Sequence, residues 1–85
     1  MGIFKRGEGL GPTQGRRFKI LIIAADGETL YWHKRGELHL VEQDVAEAFV
    51  RSFNPDLFQV APDGSLMPSG EPTTKRVLRV EMKKA

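Results

Sequence analysis

The chain contains no cysteine, which excludes disulfide staples, thiolate metal sites and cysteine nucleophiles. It also lacks a long hydrophobic run. Its longest, Ile20 to Ala25, is far short of the roughly 20 apolar residues of a membrane-spanning helix. The N-terminus has none of the apolar segment of about 7–15 residues that marks a secretory signal. A cytoplasmic protein with no membrane partner is therefore expected. Catalytic signatures are missing as well: there is no nucleophile elbow, no carboxylate pair at inferable separation and no zinc-protease helix motif. Ser52, Ser65 and Ser69 have no assignable base. A chain of 85 residues has little material for a pocket of several hundred Å3, so neither enzymatic activity nor a cofactor is expected, and no family signature is legible in the motifs.

Neither sign of charge dominates overall, with a net of +2, but charge is unevenly placed. Residues 1–20 carry five basic and one acidic residue, residues 37–71 one basic and seven acidic, and residues 72–85 five basic and one acidic. Residues 1–15 hold five glycines and one proline, with only Ile3, Phe4 and Leu10 as apolar anchors. Such a composition does not offset its own ordering entropy, so residues 1–15 are read as a flexible N-terminal arm and 16–85 as a single domain. Gly7-Glu8-Gly9-Leu10-Gly11 has the look of a phosphate loop, but no strand precedes it, no helix follows it and no Gly-Lys-Ser/Thr ends it; it reads as linker. A domain of this size buries roughly 60% of its unfolded surface and has a stability of roughly 5 kcal/mol.

What is present is a strand-rich centre, Arg17 to Leu40, read as a three-stranded antiparallel meander. Asp26-Gly27 and Gly36 mark its two junctions, each needing a turn that accepts positive φ. Three-residue loops at Ala25-Asp26-Gly27 and Lys34-Arg35-Gly36 place Ile22 beside Leu30, Ile20 beside Trp32, Trp32 across from Leu38 and Leu30 across from Leu40. That register sorts Phe18, Ile20, Ile22, Leu30, Trp32, Leu38 and Leu40 onto one face. Arg17, Lys19, Leu21, Ile23, Thr29, Tyr31, His33, Glu37 and His39 fall on the other, with Tyr31 opposite His39 and His33 opposite Glu37.

Asp44-Val45-Ala46-Glu47 has the form of a capping box, so a helix is expected to start there or up to a turn earlier. Val41, Val45, Ala48, Phe49, Ser52 and Phe53 form its apolar stripe, and Asn54-Pro55 stops it. Leu57 to Ala61 reads as a short strand with Phe58 and Val60 inward. Lys75 to Lys83 reads as a longer one with Leu78, Val80 and Met82 inward and Arg79, Glu81 and Lys83 outward. Between them Pro62 to Thr74 is an unusually long connection, whose Leu66 and Met67 either fold over the core edge or form an exposed binding knob. The expected architecture is α+β: an antiparallel sheet of four to five strands with one helix on one face, in the order β-β-β-α-β-β, of which a β-grasp-like layout is one version.

His33, Glu37 and His39 are candidates for an acid-base or metal cluster, yet they lack the three or four converging ligands that a site needs; they are read as strand or partner-contact residues, with no metal. The leading expectation is a protein-binding module, an inhibitor or adaptor of a larger complex such as a phage or mobile element encodes, or a homodimer. Its contact residues are Lys19, Leu21, Ile23, Tyr31, His33, His39 and Arg79, joined by Leu66 and Met67, because an apolar outer face exceeds what a solvated sheet shows. The alternative is a nucleic-acid-binding sheet and arm using Lys5, Arg6, Arg16, Arg17, Lys19, Arg79 and Lys83. The acidic group Glu42, Asp44, Glu47 and Asp56 offers a separate negative surface.

Overall fold

The computed structural model describes residues 17–85; the proposed arm, with Lys5, Arg6 and also Arg16, lies outside the described residues. The fold is built around β1, Arg17–Ala24. Alternation along it sends Ile20 and Ile22 into the core at 0% exposure, while Leu21 points to the opposite face beside Tyr31. From Ala25 to Gly27 the chain turns into β2, Thr29–Tyr31. The turn is the expected three-residue type. The Ala24 N–H donates to Glu28 O (2.8 Å), the Gly27 N–H to Ala24 O (2.9 Å), and Gly27 has φ +92°. Asp26 Oδ1 accepts the Glu28 N–H at 3.0 Å, and Ile22 pairs with Leu30 as anticipated.

The second junction differs. His33 pairs with Leu38 and Lys34 with Glu37, leaving Arg35-Gly36 as a two-residue turn in which both residues have positive φ, 54° and 79°. This geometry twists in the same sense as the strands it joins. The resulting hairpin, β3 His33–Lys34 and β4 Glu37–Leu38, is a separate two-stranded ribbon that leaves the sheet, so the face-sorting argument for a three-residue loop did not constrain it. The chain returns as β5, Leu40–Glu42, which pairs with Lys19 to Arg17 on the same edge of β1 that β2 occupies. The third strand of the expected meander is thus an ear inserted into one edge. Its base is closed by Trp32 N–H to Ile20 O (2.8 Å) and His39 N–H to Trp32 O (3.0 Å). Leu38 and Leu40, expected inside, are 41% and 39% exposed, while Val41, opposite Phe18, packs on the core.

The helix α1, Gln43–Ser52, lies across β1 and the last strand. Glu42 is its N-cap without a side-chain bond, and Asp44, expected to cap, accepts the Val45 N–H inside the first turn (2.9 Å). Its buried stripe is Ala46, Phe49, Val50 and Phe53, whereas Val45 is 54% exposed and Ala48 and Ser52 are also exposed. On the helical wheel Phe49 and Phe53 are flanked by Ala46 and Val50 on one side and by Val45, Ala48 and Ser52 on the other. Docking picks the first flank, where the small Ala46 lets the helix approach the sheet. Ser52 is the last helical residue, and Asn54 Oδ1 caps a 3-10 turn, Pro55–Leu57, by accepting the Asp56 N–H (3.0 Å).

Residues 62–74 are not a structureless loop. Strand β6, Phe58–Val60, pairs with β7, Leu66–Pro68, around a corner that repeats the first one bond for bond. The Ala61 N–H donates to Ser65 O and the Gly64 N–H to Ala61 O, both at 2.9 Å, and Asp63 Oδ1 accepts the Ser65 N–H at 2.9 Å. Strand β8, Lys75–Lys84, then runs antiparallel to β1 from Val77 to Lys84 and borders β6 through Lys75 and Arg76. The described sheet has six strands in the order β2-β1-β8-β6-β7, with β5 continuing the β2 edge. Every pairing is antiparallel, and a hairpin stands on each side of the helix in the chain. The α+β class, an antiparallel sheet with one helix packed on it, is the observed one. The sheet curls until the Gly64 corner meets its opposite edge, where the His33 N–H donates to Gly64 O at 3.0 Å.

In β8 the alternation breaks once. Ile23 faces Arg79 but Ala24 faces Val77, so a bulge lies between them and Leu78 is the extra residue. Val77 and Val80 are both buried, and Leu78, expected inside, is 54% exposed.

Candidate functional site

The helix covers one face of the sheet and leaves the other to be lined by β2 and β5, β1 and β8 in rows. Thr29, Ile23 and Arg79 form one row, Tyr31, Leu21 and Glu81 the next, and Leu40, Lys19 and Lys83 the third, with Arg17 beside Glu42 beyond. Ile23 is 8% exposed, and Leu21 and Tyr31 are half-buried. The bulge adds Leu78 beside Arg79, and the phase change after the ear adds Leu40. Neither residue was expected here. No sequence signal required Leu78 to face outward, since Leu78, Val80 and Met82 alternate; only the burial of Val77 together with Val80, three residues apart, shows that the strand is broken between them.

Electrostatically this face sets Arg17, Lys19, Arg79 and Lys83 against Glu81 and Glu42. Lys19 Nζ lies 4.6 Å from the centroid of the Tyr31 ring, a cation–π contact that orders both side chains. Glu81 accepts from Arg79 Nε at 3.0 Å and from Lys83 Nζ at 3.3 Å, and these two partners hold its carboxyl below the usual range. At the far corner Lys75 Nζ bridges Asp26 Oδ2 (2.8 Å) and Glu28. Hydrogen bonding to Lys75 lowers Asp26, and the two carboxylates raise Lys75. These ion pairs are exposed, so each adds little stability.

The structure brings Lys19, Leu21, Ile23, Tyr31 and Arg79 together on this face, with Arg17 and Lys83 at its rim. The remaining expected contact residues lie elsewhere. His33 sits at the base of the ear, its Nδ1–H donating to Tyr31 O at 2.7 Å. His39 stands edge-on to Trp32, with centroids 4.7 Å apart. The cross-strand pairs Tyr31–His39 and His33–Glu37 do not form, because the two-residue turn moves Leu38 opposite His33. Leu66 packs on the core and Met67 is half-buried opposite Gln59, so the two make no protruding knob. Among the described residues no three His, Asp or Glu side chains converge on a metal-sized space, and no helix is long and apolar enough to cross a membrane.

Burial against Trp32, with a smaller contribution from Lys34, holds the His39 imidazole below its ordinary value. The stability tied to neutral His39 is therefore complete above the unfolded value of about 6.5 and is lost as pH falls through the lower folded value. A proton titration followed by NMR is expected to place the His39 midpoint below 6.5, and Lys34→Gln to raise it only part of the way back. A midpoint at or above the ordinary value would contradict the packing against Trp32.

Against known proteins, the chain matches no family model, no curated protein and no solved structure.

Proposed function

We propose that this domain is a non-catalytic interaction module that binds another protein through the sheet face opposite the helix. The supporting observation is the row arrangement of Leu21, Ile23, Tyr31, Leu40 and Leu78, an apolar centre on a face that the domain's own helix does not cover, bordered by Lys19, Arg79 and Lys83. An apolar centre with a charged rim is the anatomy of a protein interface. The cationic excess of the rim favours an acidic surface on the partner over a second copy of this chain. Nucleic-acid binding is the second reading, favoured by Arg17, Lys19, Arg79 and Lys83 sharing one face. The engagement of Arg79 and Lys83 by Glu81 weakens it.

The test is capture of partners from the native cell at about 50 and 200 mM salt, with the wild type and with Leu21→Ser/Leu78→Ser. Protein binding predicts partners that survive the higher salt and disappear with the double variant. Retention that collapses with salt and with nuclease would transfer the function to nucleic acid. Partners unchanged by the double variant would remove this face from consideration.

A further inference from the structure

We infer that the groove between the ear and the β6–β7 hairpin is a second binding site, one that takes an acidic peptide segment carrying a bulky apolar anchor. It lies on the helix side of the sheet and rests on none of the outer-face residues. The groove is an open depression of about 520 Å3, larger than the chain's length led one to expect, over Trp32, Phe49, Phe58 and Leu66, with Lys34 and Arg35 of the ear along it. His33 and Ser65 complete the lining, which among the described residues contains no acidic side chain; Asp63 stands just beyond it, accepting from Ser65 Oγ at 2.7 Å. An aromatic concavity with a few polar groups suits the insertion of a ligand side chain, and the two cations on its ear side, Lys34 and Arg35, favour carboxylates there. Among the described residues neither Lys34 nor Arg35 takes part in an ion pair.

Arg35 provides an independent observation. It holds φ 54° at a turn position where asparagine, aspartate or glycine is the less strained choice. A long cationic side chain is thus kept at the tip of a two-residue turn against its backbone preference, as strained residues at recognition sites are. Its planar guanidinium can hold a carboxylate through two parallel hydrogen bonds.

The aromatic geometry argues against a nucleic acid in this groove. A base would need an open ring face to stack on. Trp32 is already stacked on Phe49 (4.7 Å, 16°), carries Lys34 Nζ over its ring at 5.0 Å and meets His39 edge-on. Residues 1–16 carry Lys5, Arg6 and Arg16 against Glu8, so the chain's own N-terminal segment has the wrong sign for the rim.

Trp32 is the single tryptophan, so its fluorescence reports on this groove. The probe is a peptide of about twelve residues, Asp and Glu around a central Phe-Leu pair, compared with its Lys/Arg counterpart and with an oligo-dT of similar length. The acidic peptide should shift Trp32 emission saturably, and Arg35→Asn, which suits the turn, should weaken binding about tenfold without lowering the melting temperature. Leu78→Ser, on the outer face, should leave the titration unchanged, which separates this site from the one proposed above. The inference is overturned by an unshifted emission, by equal response to the basic peptide, by tighter binding of oligo-dT, or by full affinity in Arg35→Asn. It is equally overturned if Leu78→Ser abolishes the response, or if emission depends on protein concentration alone, which would point to a second copy as the occupant.

Discussion

Gly64→Ala is expected to destabilise the protein by about 3 kcal/mol and to lower its melting temperature by roughly 15 °C. Two effects add. Gly64 has φ +91°, where a side chain is strained, and a Cβ built there would meet Tyr31 O at 2.5 Å and His33 Nδ1 at 2.8 Å. Those atoms are the edge against which the β6–β7 corner closes the curled sheet, and the backbone oxygen cannot rotate away. Gly27 supplies the control. It occupies the matching place in the other corner at φ +92°, with nothing within 4 Å of a built Cβ, so Gly27→Ala should cost only the conformational penalty of about 1–2 kcal/mol. Parallel thermal melts of the two variants measure the difference. Equal losses would mean that the Gly64 corner does not press on Tyr31.

Ile22→Ala should be worse, by about 4 kcal/mol, close to the whole stability expected of a domain this small. Ile22 is fully buried between Leu30 and Val80, and the cavity left behind would be walled by core side chains whose strands are held in register by pairing, so it could collapse only in part. Urea unfolding would show the midpoint fall with little change in slope. Leu78→Ala, at 54% exposure, should change stability by no more than about 0.5 kcal/mol. If the two variants lost similar stability, the division of the sheet into a core face and an outer face would be wrong.

The outer face takes its character from one irregularity. Without the bulge, alternation from Val80 would turn Leu78 into the core and Val77 outward, so the bulge exchanges a valine for a leucine on this face. Val77 and Val80 both find partners in β1, Ala24 and Ile22, which lie two residues apart, while the two valines lie three apart. The extra residue has to go outward. The ear has the same origin: β2 and β5 share one edge of β1, and the intervening residues have no place in the sheet, so they fold on themselves and create the groove over Trp32.

The amino-acid order alone determined what depends on neighbours in the chain. Alternation in β1 assigned Ile20 and Ile22 to the core and Lys19, Leu21 and Ile23 to the other side, and the Asp-Gly step at 26–27 set its three-residue corner. Asn54-Pro55 ended the helix, and the element types gave the α+β class. The equivalent Asp63-Gly64 step was present and carried the same information, though the prolines around it suggested a loop. Only the tertiary structure decided how far strands are interrupted, which flank of the helix faces inward and where the sheet meets itself. These outcomes arise when side chains distant in sequence compete for the same buried volume, and a local periodicity fits either result equally well.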